Sequence, residues 1–418
     1  MSVMTTTSQA EHVSAADTAG PVVQETTCCV VGAGPAGAVL ALLLARKGVA
    51  VSLLELHKDF DRDFRGDTLH PSVMEIMDEI GLAERVLELP HSKLRKLSFT
   101  TASGGGAGID FSFLKTKYPY ITVLPQVRFL EFITEEAKRY PHFQLVMGAN
   151  VRELIEEGGA VRGVRYQGGD GRTHELRAAL TVGADGRSSR VRRLSGMEPV
   201  KSAPPMDVLW FRLPRRESDG AGVSGRFGRG NILILLERSE EWQVGYVIPK
   251  GAYQQLRAAG LEELRRGVAE LAPALADRVE HLQDWKQVAM LSVESSCLRR
   301  WYRPGLLLIG DAAHVMSPVG GVGINYAIQD AVAAANILAE PLKAGAVSPR
   351  DLRAVERRRL LPTRIIQAFQ SMMQRRLVAR ALNSAEPVSP PAFLRVPVLS
   401  RLVARLIAFG VWPVHVKG

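Results

Sequence analysis

The stretch CCVVGAGPAGAVLALLLARKGVAVSLLEL, Cys28 to Leu56, limits what this chain can fold into more than any other. It reads as a short β-branched strand, a glycine-rich turn, an uninterrupted helical run stopped by Gly48, and a second apolar strand. Two apolar strands joined through a helix form a βαβ unit with buried, parallel strands. The glycines fall as Gly32-x-Gly34-x-x-Gly37. In such a unit the first glycine permits the tight turn, the second lets the backbone approach a pyrophosphate, and the third lets helix pack on strand. Pro35 and Ala36 open the helix, whose free N–H groups and partial positive charge suit a phosphate. Glu55 lies at the end of the second strand, 23 residues after Gly32, where it can accept hydrogen bonds from ribose hydroxyls. A merely structural glycine turn would leave that acid unexplained. The unit alone does not choose between NAD and FAD.

Two distant stretches carry related signals. In LTVGADGRSSRVRRLSG, Leu180 to Gly196, an apolar strand ends at Asp185-Gly186, and Ser188 or Ser189 is placed to cap a short helix bearing Arg190, Arg192 and Arg193. In RPGLLLIGDAAHVMSPVGGVGINYAIQDAVAAANILAEPL, Arg303 to Leu342, a buried strand runs into Gly310 and Asp311. A Pro- and Gly-rich loop follows, then a long alanine-rich helix beginning near Gly323. Asp311 at a strand end can bind a ribityl or ribose hydroxyl. The loop and helix start point N–H groups at whatever lies beside them and would stabilise a negative charge developing there. His314 tempts assignment as a base.

In this order and at these separations, VGAGPAG, GADGRSSRVR and GDAAHVMSPVGGVGIN resemble the three fingerprints of FAD-dependent monooxygenases of the p-hydroxybenzoate hydroxylase type, the group A flavoprotein hydroxylases. The match runs from Val31 to Asn325. The resemblance implies a tightly but noncovalently bound FAD, with Gly32, Gly34, Pro35, Ala36 and Gly37 at its pyrophosphate and Glu55 at its adenosine ribose. It implies that Gly310 and Asp311 meet the ribityl region. The backbone of Gly320, Gly321, Val322, Gly323, Ile324 and Asn325 would lie along the pyrimidine edge of the ring, with Pro318 near the reactive carbon. Asp185 belongs to a turn shared by FAD and a transient NAD(P)H. Two shorter matches implicate Arg65, in FRGDTLHPSVMEIMDEIGL, beside the flavin, and Gln126 or Arg128, in LPQVRFLEFITEEAKRY, at the ribityl chain and phosphate. The implied activity consumes NADH or NADPH and dioxygen. It hydroxylates an aromatic, phenolic or polycyclic small molecule through a flavin hydroperoxide, using no protein nucleophile. The alternatives are a flavin-dependent reductase or halogenase on the same fold, or a noncatalytic flavin-binding protein. The nearest piece to a halogenase Trp-x-Trp-x-Ile-Pro segment, EWQVGYVIPK, does not match it.

The expected fold is α/β: a discontinuous Rossmann-like FAD-binding domain (26–92, 124–200 and 295–345), a largely antiparallel inserted substrate sheet (93–123 and 201–294), and a C-terminal helical region (346–418). Residues 1–25 are small and polar and read as a disordered tail without a secretory signal. The segments MDVLWFRLPR, GNILILLE and EWQVGYVIPKG read as strands separated by glycine-rich turns, and Lys93 to Leu114 as a hairpin. Trp210, Arg212, Trp242 and Tyr246 in that sheet, with His70, are candidates to line a substrate pocket, because aromatics offer an apolar surface with a polar edge.

Composition narrows the remaining classes. The net charge is +10, but the arginines are scattered without interleaved exposed aromatics, which argues against a nucleic-acid partner. Three cysteines without CxxC spacing argue against a metal site or disulfide framework and point to a reducing cytoplasm. No apolar run reaches the roughly 18 residues of a membrane span. The apolar-basic tail, FLRVPVLSRLVARLIAFGVWPVHVKG, is expected to pack as a helix on the cofactor domain, with peripheral membrane contact the minor reading.

Overall fold

Strands Val22–Val31 and Val51–Glu55 pair in parallel, joined by the helix Pro35–Arg46, as the apolar runs on either side of the glycine turn require. The computed structural model describes residues 21–61, 67–101, 106–219, 222–228, 230–238, 240–383 and 396–418. Residues 1–20 of the expected tail lie outside these. Residues 22–25 belong to the sheet instead, paired with His174–Arg177, because the partner strand Thr173–Gly183 is long enough to reach them. Around this pair the main sheet runs Tyr302–Arg303, Leu306–Leu308, Thr173–Gly183, Val22–Val31, Val51–Glu55, Phe143–Met147. Its last five strands are mutually parallel. Their carboxyl ends therefore open on one edge, where sheets of this kind bind ligands. The helix Pro35–Arg46 is buried along most of its length and packs against the long helix Gly323–Lys343.

A second, seven-stranded sheet runs Ala289–Leu291, Met206–Pro214, Glu241–Pro249, Ile232–Arg238, Val223–Phe227, Lys96–Thr101, Gly106–Asp110. Every pairing is antiparallel except that of Val223–Phe227 with Lys96–Thr101. The strand Val223–Phe227 reads as part of a glycine-rich turn in the sequence, yet it completes this sheet. The stretch 93–123 is divided. Lys96–Thr101 and Gly106–Asp110 join the large sheet, whereas Ile121–Val123 is the middle strand of a small three-stranded one, flanked by Ser92–Leu94 and Thr68–Leu69. One face of the large sheet, with Leu209, Phe211, Leu233, Trp242, Val244 and Tyr246, is sealed by Leu264 and Val268 of the helix Leu261–Leu271 and by Leu275 and Val279. The other carries Val208, Ile232 and Val247 against Val378, Ala381 and Leu382 near the end of the C-terminal helices.

The helix Pro349–Met373 lies on Gly323–Lys343. The apolar-basic tail forms the helix Pro397–Phe409, which buries Ala404, Ile407 and Ala408 against Leu94, Ile109 and Phe111 of the strand region. The tail thus packs on the protein, but chiefly on the inserted strands rather than the main sheet alone. Among the described residues no helix is long and apolar enough to cross a membrane.

Candidate active site

The three glycine-bearing turns meet at the carboxyl ends of the parallel strands. Gly32 has φ +100°, and its amide donates to Leu54 O at 2.7 Å. A Cβ at Gly32 would lie 2.6 Å from both Ala184 O and Asp185 Cα, so the first turn rests directly on the second. Ala184 N donates to Val31 O at 2.8 Å, and Ile309 N to Gly183 O at 3.0 Å, which ties the third stretch in. Gly310, at φ +58°, sits where a Cβ would come within 3.1 Å of Ala36 Cβ and 3.3 Å of Ala327 Cβ. The turn at residues 310–311 is thus wedged between the starts of two helices whose N-termini face the same edge.

Glu55 is buried and its carboxylate holds the first turn: Oε2 accepts from Ala33 N at 2.9 Å and Oε1 from His57 N at 3.1 Å. Asp185 is committed elsewhere. Its carboxylate accepts from Arg190 N at 2.7 Å, Val191 N at 3.0 Å and Ser189 Oγ. It caps the short helix Arg190–Leu194 together with Ser189, whose side chain accepts from Arg192 N. Its role here is to hold the turn. Arg192, which the sequence presents as one of several solvated arginines, is buried and donates to Arg187 O, Asp311 O and Ala312 O, so it clamps the second motif to the third.

The loop preceding Gly323 needs glycine at two positions, with φ +81° at Gly320 and +63° at Gly321. Pro318 begins the turn, with its carbonyl accepting from Gly321 N at 3.0 Å. The amides of Gly323 and Ile324 open the long helix, while Val322 is buried beside Tyr326 and Ile366. Asn325 is buried, accepts from His70 N at 2.9 Å and donates to Gly321 O at 3.3 Å. His70 therefore belongs beside this loop. Its Nδ1 donates to Ile407 O at 2.8 Å, which leaves Nε2 as the bare nitrogen near Gly321.

Burial pushes the His70 imidazole down from 6.5 to about 4, against a smaller upward pull from the Ile407 carbonyl. The unfolded chain then binds a proton that the fold refuses. Stability is full above about pH 6.5 and falls as pH drops toward 4, by about 3 kcal/mol from this residue. In His70→Gln the slope of unfolding free energy between pH 6.5 and 4 should flatten. A slope equal to that of the parent would remove His70 from this account.

A second buried cluster anchors the 310–311 turn. Asp330 accepts from Gly310 N at 3.0 Å, His314 Nε2 at 2.5 Å and Arg359 Nε at 2.8 Å. All three side chains are buried. His314 is thus tied into this buried cluster through Asp330.

The FAD binding domain family matches residues 25–368. The chain is 37% identical to the 6-methylpretetramide 4-monooxygenase of Streptomyces rimosus over 92% of each protein. The chain belongs to the FAD-dependent monooxygenases of the group A hydroxylase type. The rifampicin monooxygenase of Streptomyces venezuelae is 30% identical over 72% of this chain, which spans 61% of that protein's length. The solved structure of the anhydrotetracycline hydroxylase of Streptomyces rimosus superposes with a TM-score of 0.71 at 27% identity, covering 92% of this chain and 76% of that one.

The remaining candidates of this monooxygenase separate. Arg65 lies outside the described residues. Gln126 opens the helix Gln126–Lys138 and its amide is held by Asp67 Oδ1 at 2.9 Å. Arg128 is exposed and pairs with Glu131 at 3.1 Å, one turn along the helix surface. Trp210 lies on the face of the large sheet that meets Val319 of the glycine loop. Trp242 and Tyr246 lie on the opposite face, sealed under helices, so they do not share a pocket with Trp210. Trp242 donates to Asp219 at 3.1 Å, and Tyr246 bonds Asn231, its hydroxyl pushed up to about 12 by burial. Arg212 is largely exposed, 3.5 Å from Glu241. Cys28 and Cys29 are fully buried in the first strand, and burial pushes both thiols up. Among the described residues no group of three or more His, Cys, Asp or Glu is arranged to hold a metal ion.

Proposed function

We propose that this monooxygenase holds FAD along the carboxyl edge of its parallel sheet and inserts one oxygen atom of dioxygen into an electron-rich aromatic, phenolic or polycyclic substrate, with NADH or NADPH as donor. Gly34 carries this reading. Its φ is −68° and nothing lies within 4 Å of where a Cβ would stand, so neither backbone nor packing in the chain asks for glycine there. A ligand that must touch the backbone does. The residues present therefore fit FAD: the Gly32–Gly37 turn and Pro35–Arg46 helix start for the pyrophosphate, Glu55 for the ribose, Gln126 and Asp311 for the ribityl chain. The N–H groups from Gly320 to Asn325 would face the pyrimidine edge, with Pro318 beside the ring.

Bound FAD supplies the redox chemistry: one NAD(P)H, one proton and one dioxygen yield hydroxylated substrate, NAD(P)+ and water. The chain's tasks are to bind, orient and exclude water. The start of the helix Gly323–Lys343 offers unpaired N–H groups and a positive dipole end to negative charge on the adjacent ring. We assign the FAD-binding unit to 26–92, 124–200 and 295–345 and the substrate unit to the large sheet. The chain's three cysteines, without CxxC spacing, suit a reducing, cytoplasmic setting.

Purified protein should be yellow, should oxidise NAD(P)H faster when an electron-rich phenol is added, and should form a product heavier by one oxygen under ¹⁸O₂. Turnover of a substrate without oxygen would point to a reductase and sink the reading.

A further inference from the structure

Resting on that reading, we propose that one row of the large sheet is the floor on which this enzyme selects a flat, fused multi-ring substrate. The pairing registers align Trp210 with Gly245, Gly245 with Ile234, Ile234 with Gly225, and Gly225 with Phe99. Five adjacent strands thus present, along one line, an aromatic, a glycine, an isoleucine, a glycine and an aromatic. Neighbouring strands are about 4.8 Å apart, so the two glycines stand roughly 10 Å from each other.

Neither glycine has a positive φ, so the backbone does not require it. Space does. A methyl on Gly245 would lie 2.8 Å from Cζ3 and 2.9 Å from Cη2 of Trp210, and one on Gly225 would lie 2.8 Å from Cδ1 of Phe99. Each ring lies down over the neighbouring glycine, and the two lean toward each other with Ile234 between. Glycine weakens a strand interior, so two of them in one row mark a surface kept flat.

Among the described residues this row is also the less covered one. The next row, Val208, Val247, Ile232 and Phe227, is buried under Val378, Ala381 and Leu382. On the other side Gln243 accepts from Arg238 at 3.0 Å, and Arg238 pairs with Asp67 beside the small sheet. Between these borders Trp210, Ile234 and Phe99 are only half-buried, and Val319 of the glycine loop packs against the same buried cluster as they do. The floor therefore lies on the same side of the sheet as the loop assigned to the flavin ring.

Its one polar atom is Trp210 Nε1, which is buried without an acceptor. A buried indole N–H ordinarily has a partner. A ring carbonyl or phenolic oxygen on a molecule stacked over the floor supplies it. A single ring covers one aromatic platform; a fused system spans both, which makes Trp210, Gly225, Gly245 and Phe99 determinants of ring number.

The test is equilibrium dialysis of the purified enzyme against 1,8-dihydroxyanthraquinone and, separately, 4-hydroxybenzoate. The parent should bind the three-ring probe at least about tenfold more tightly. Gly245→Ala and Gly225→Ala, which lift one ring each, should weaken the three-ring probe by about tenfold while changing the one-ring probe less than about twofold. Trp210→Phe keeps the platform without the donor and should weaken the three-ring probe about fivefold, the scale of one hydrogen bond. FAD content per chain is measured on every sample. Equal affinity for the two probes in the parent, or alanine variants that leave the ring preference intact, overturns the floor. Absence of FAD from all samples overturns the flavoenzyme reading while the ring preference is still read.

Discussion

Replacing Gly37 by alanine is expected to abolish FAD retention and to destabilise the protein. A Cβ there would sit 1.9 Å from Gly32 O, 3.1 Å from Gly32 C and 3.3 Å from Ala184 Cβ. The first two neighbours are backbone of the turn itself, so nothing at the end of a flexible side chain can yield. The helix Pro35–Arg46 must lift off the turn, which opens the cradle and breaks its contact with the second motif. Overpacking of this kind costs about 1–3 kcal/mol. Gly34→Leu makes the informative comparison. Its side chain meets nothing in the chain and its backbone is in an ordinary region, so stability should change by less than about 0.5 kcal/mol. Flavin affinity should still fall by about a hundredfold, the factor that accompanies a loss of roughly 3 kcal/mol of binding. Flavin absorbance per chain after gel filtration, with thermal unfolding of both variants, separates the two mechanisms. A Gly34→Leu protein as yellow as the parent would contradict the placement of the pyrophosphate.

The turns at the carboxyl edge of the main sheet were legible in the sequence in part. Turn chemistry is local, so the tight turn at Gly32, the helix–strand approach at Gly37 and a glycine-rich loop before Gly323 followed from the order and spacing of the residues. The strands Met206–Pro214, Ile232–Arg238 and Glu241–Pro249 were legible from their apolar runs. What escaped depended on contacts across the fold. Asp185 looked like a cofactor ligand, but the amides of Arg190 and Val191 are its nearest donors and it caps their helix. Arg192 and Arg359 sit in arginine-rich helices where solvation is the ordinary expectation, and only tertiary packing buries them. Trp242 and Tyr246 share a parity that puts Gly245 on the other face, yet which face meets the flavin loop is set by partners absent from the local pattern. Val223–Phe227 was hidden because a glycine in a turn and a glycine beneath a ring are the same letter.

Asp330→Ala is expected to be the most destabilising of the single changes, by about 3–5 kcal/mol, because it strands a buried guanidinium. Arg359 and Asp330 are both 0% exposed and His314 is 1% exposed, so water cannot take over the lost contact. Arg359 would keep Gln329 Oε1 at 3.1 Å and the Tyr326 ring at 5.2 Å, but neither carries a negative charge. The damage should reach the cofactor, since the same carboxylate fixes Gly310 N in the turn that bears Asp311. Flavin affinity should therefore fall together with stability, unlike Gly34→Leu, where the two come apart. Arg359→Met leaves the complementary orphan, an uncompensated carboxylate with only His314 as neighbour of opposite sign when protonated, and should cost about as much. The double change Asp330→Leu with Arg359→Met removes both charges and should recover much of the loss, which a denaturant-unfolding double-mutant cycle would register as a large coupling. Single changes whose costs simply add, or an Asp330→Ala protein within about 1 kcal/mol of the parent, would mean that the ion pair does not hold the cofactor turn in place.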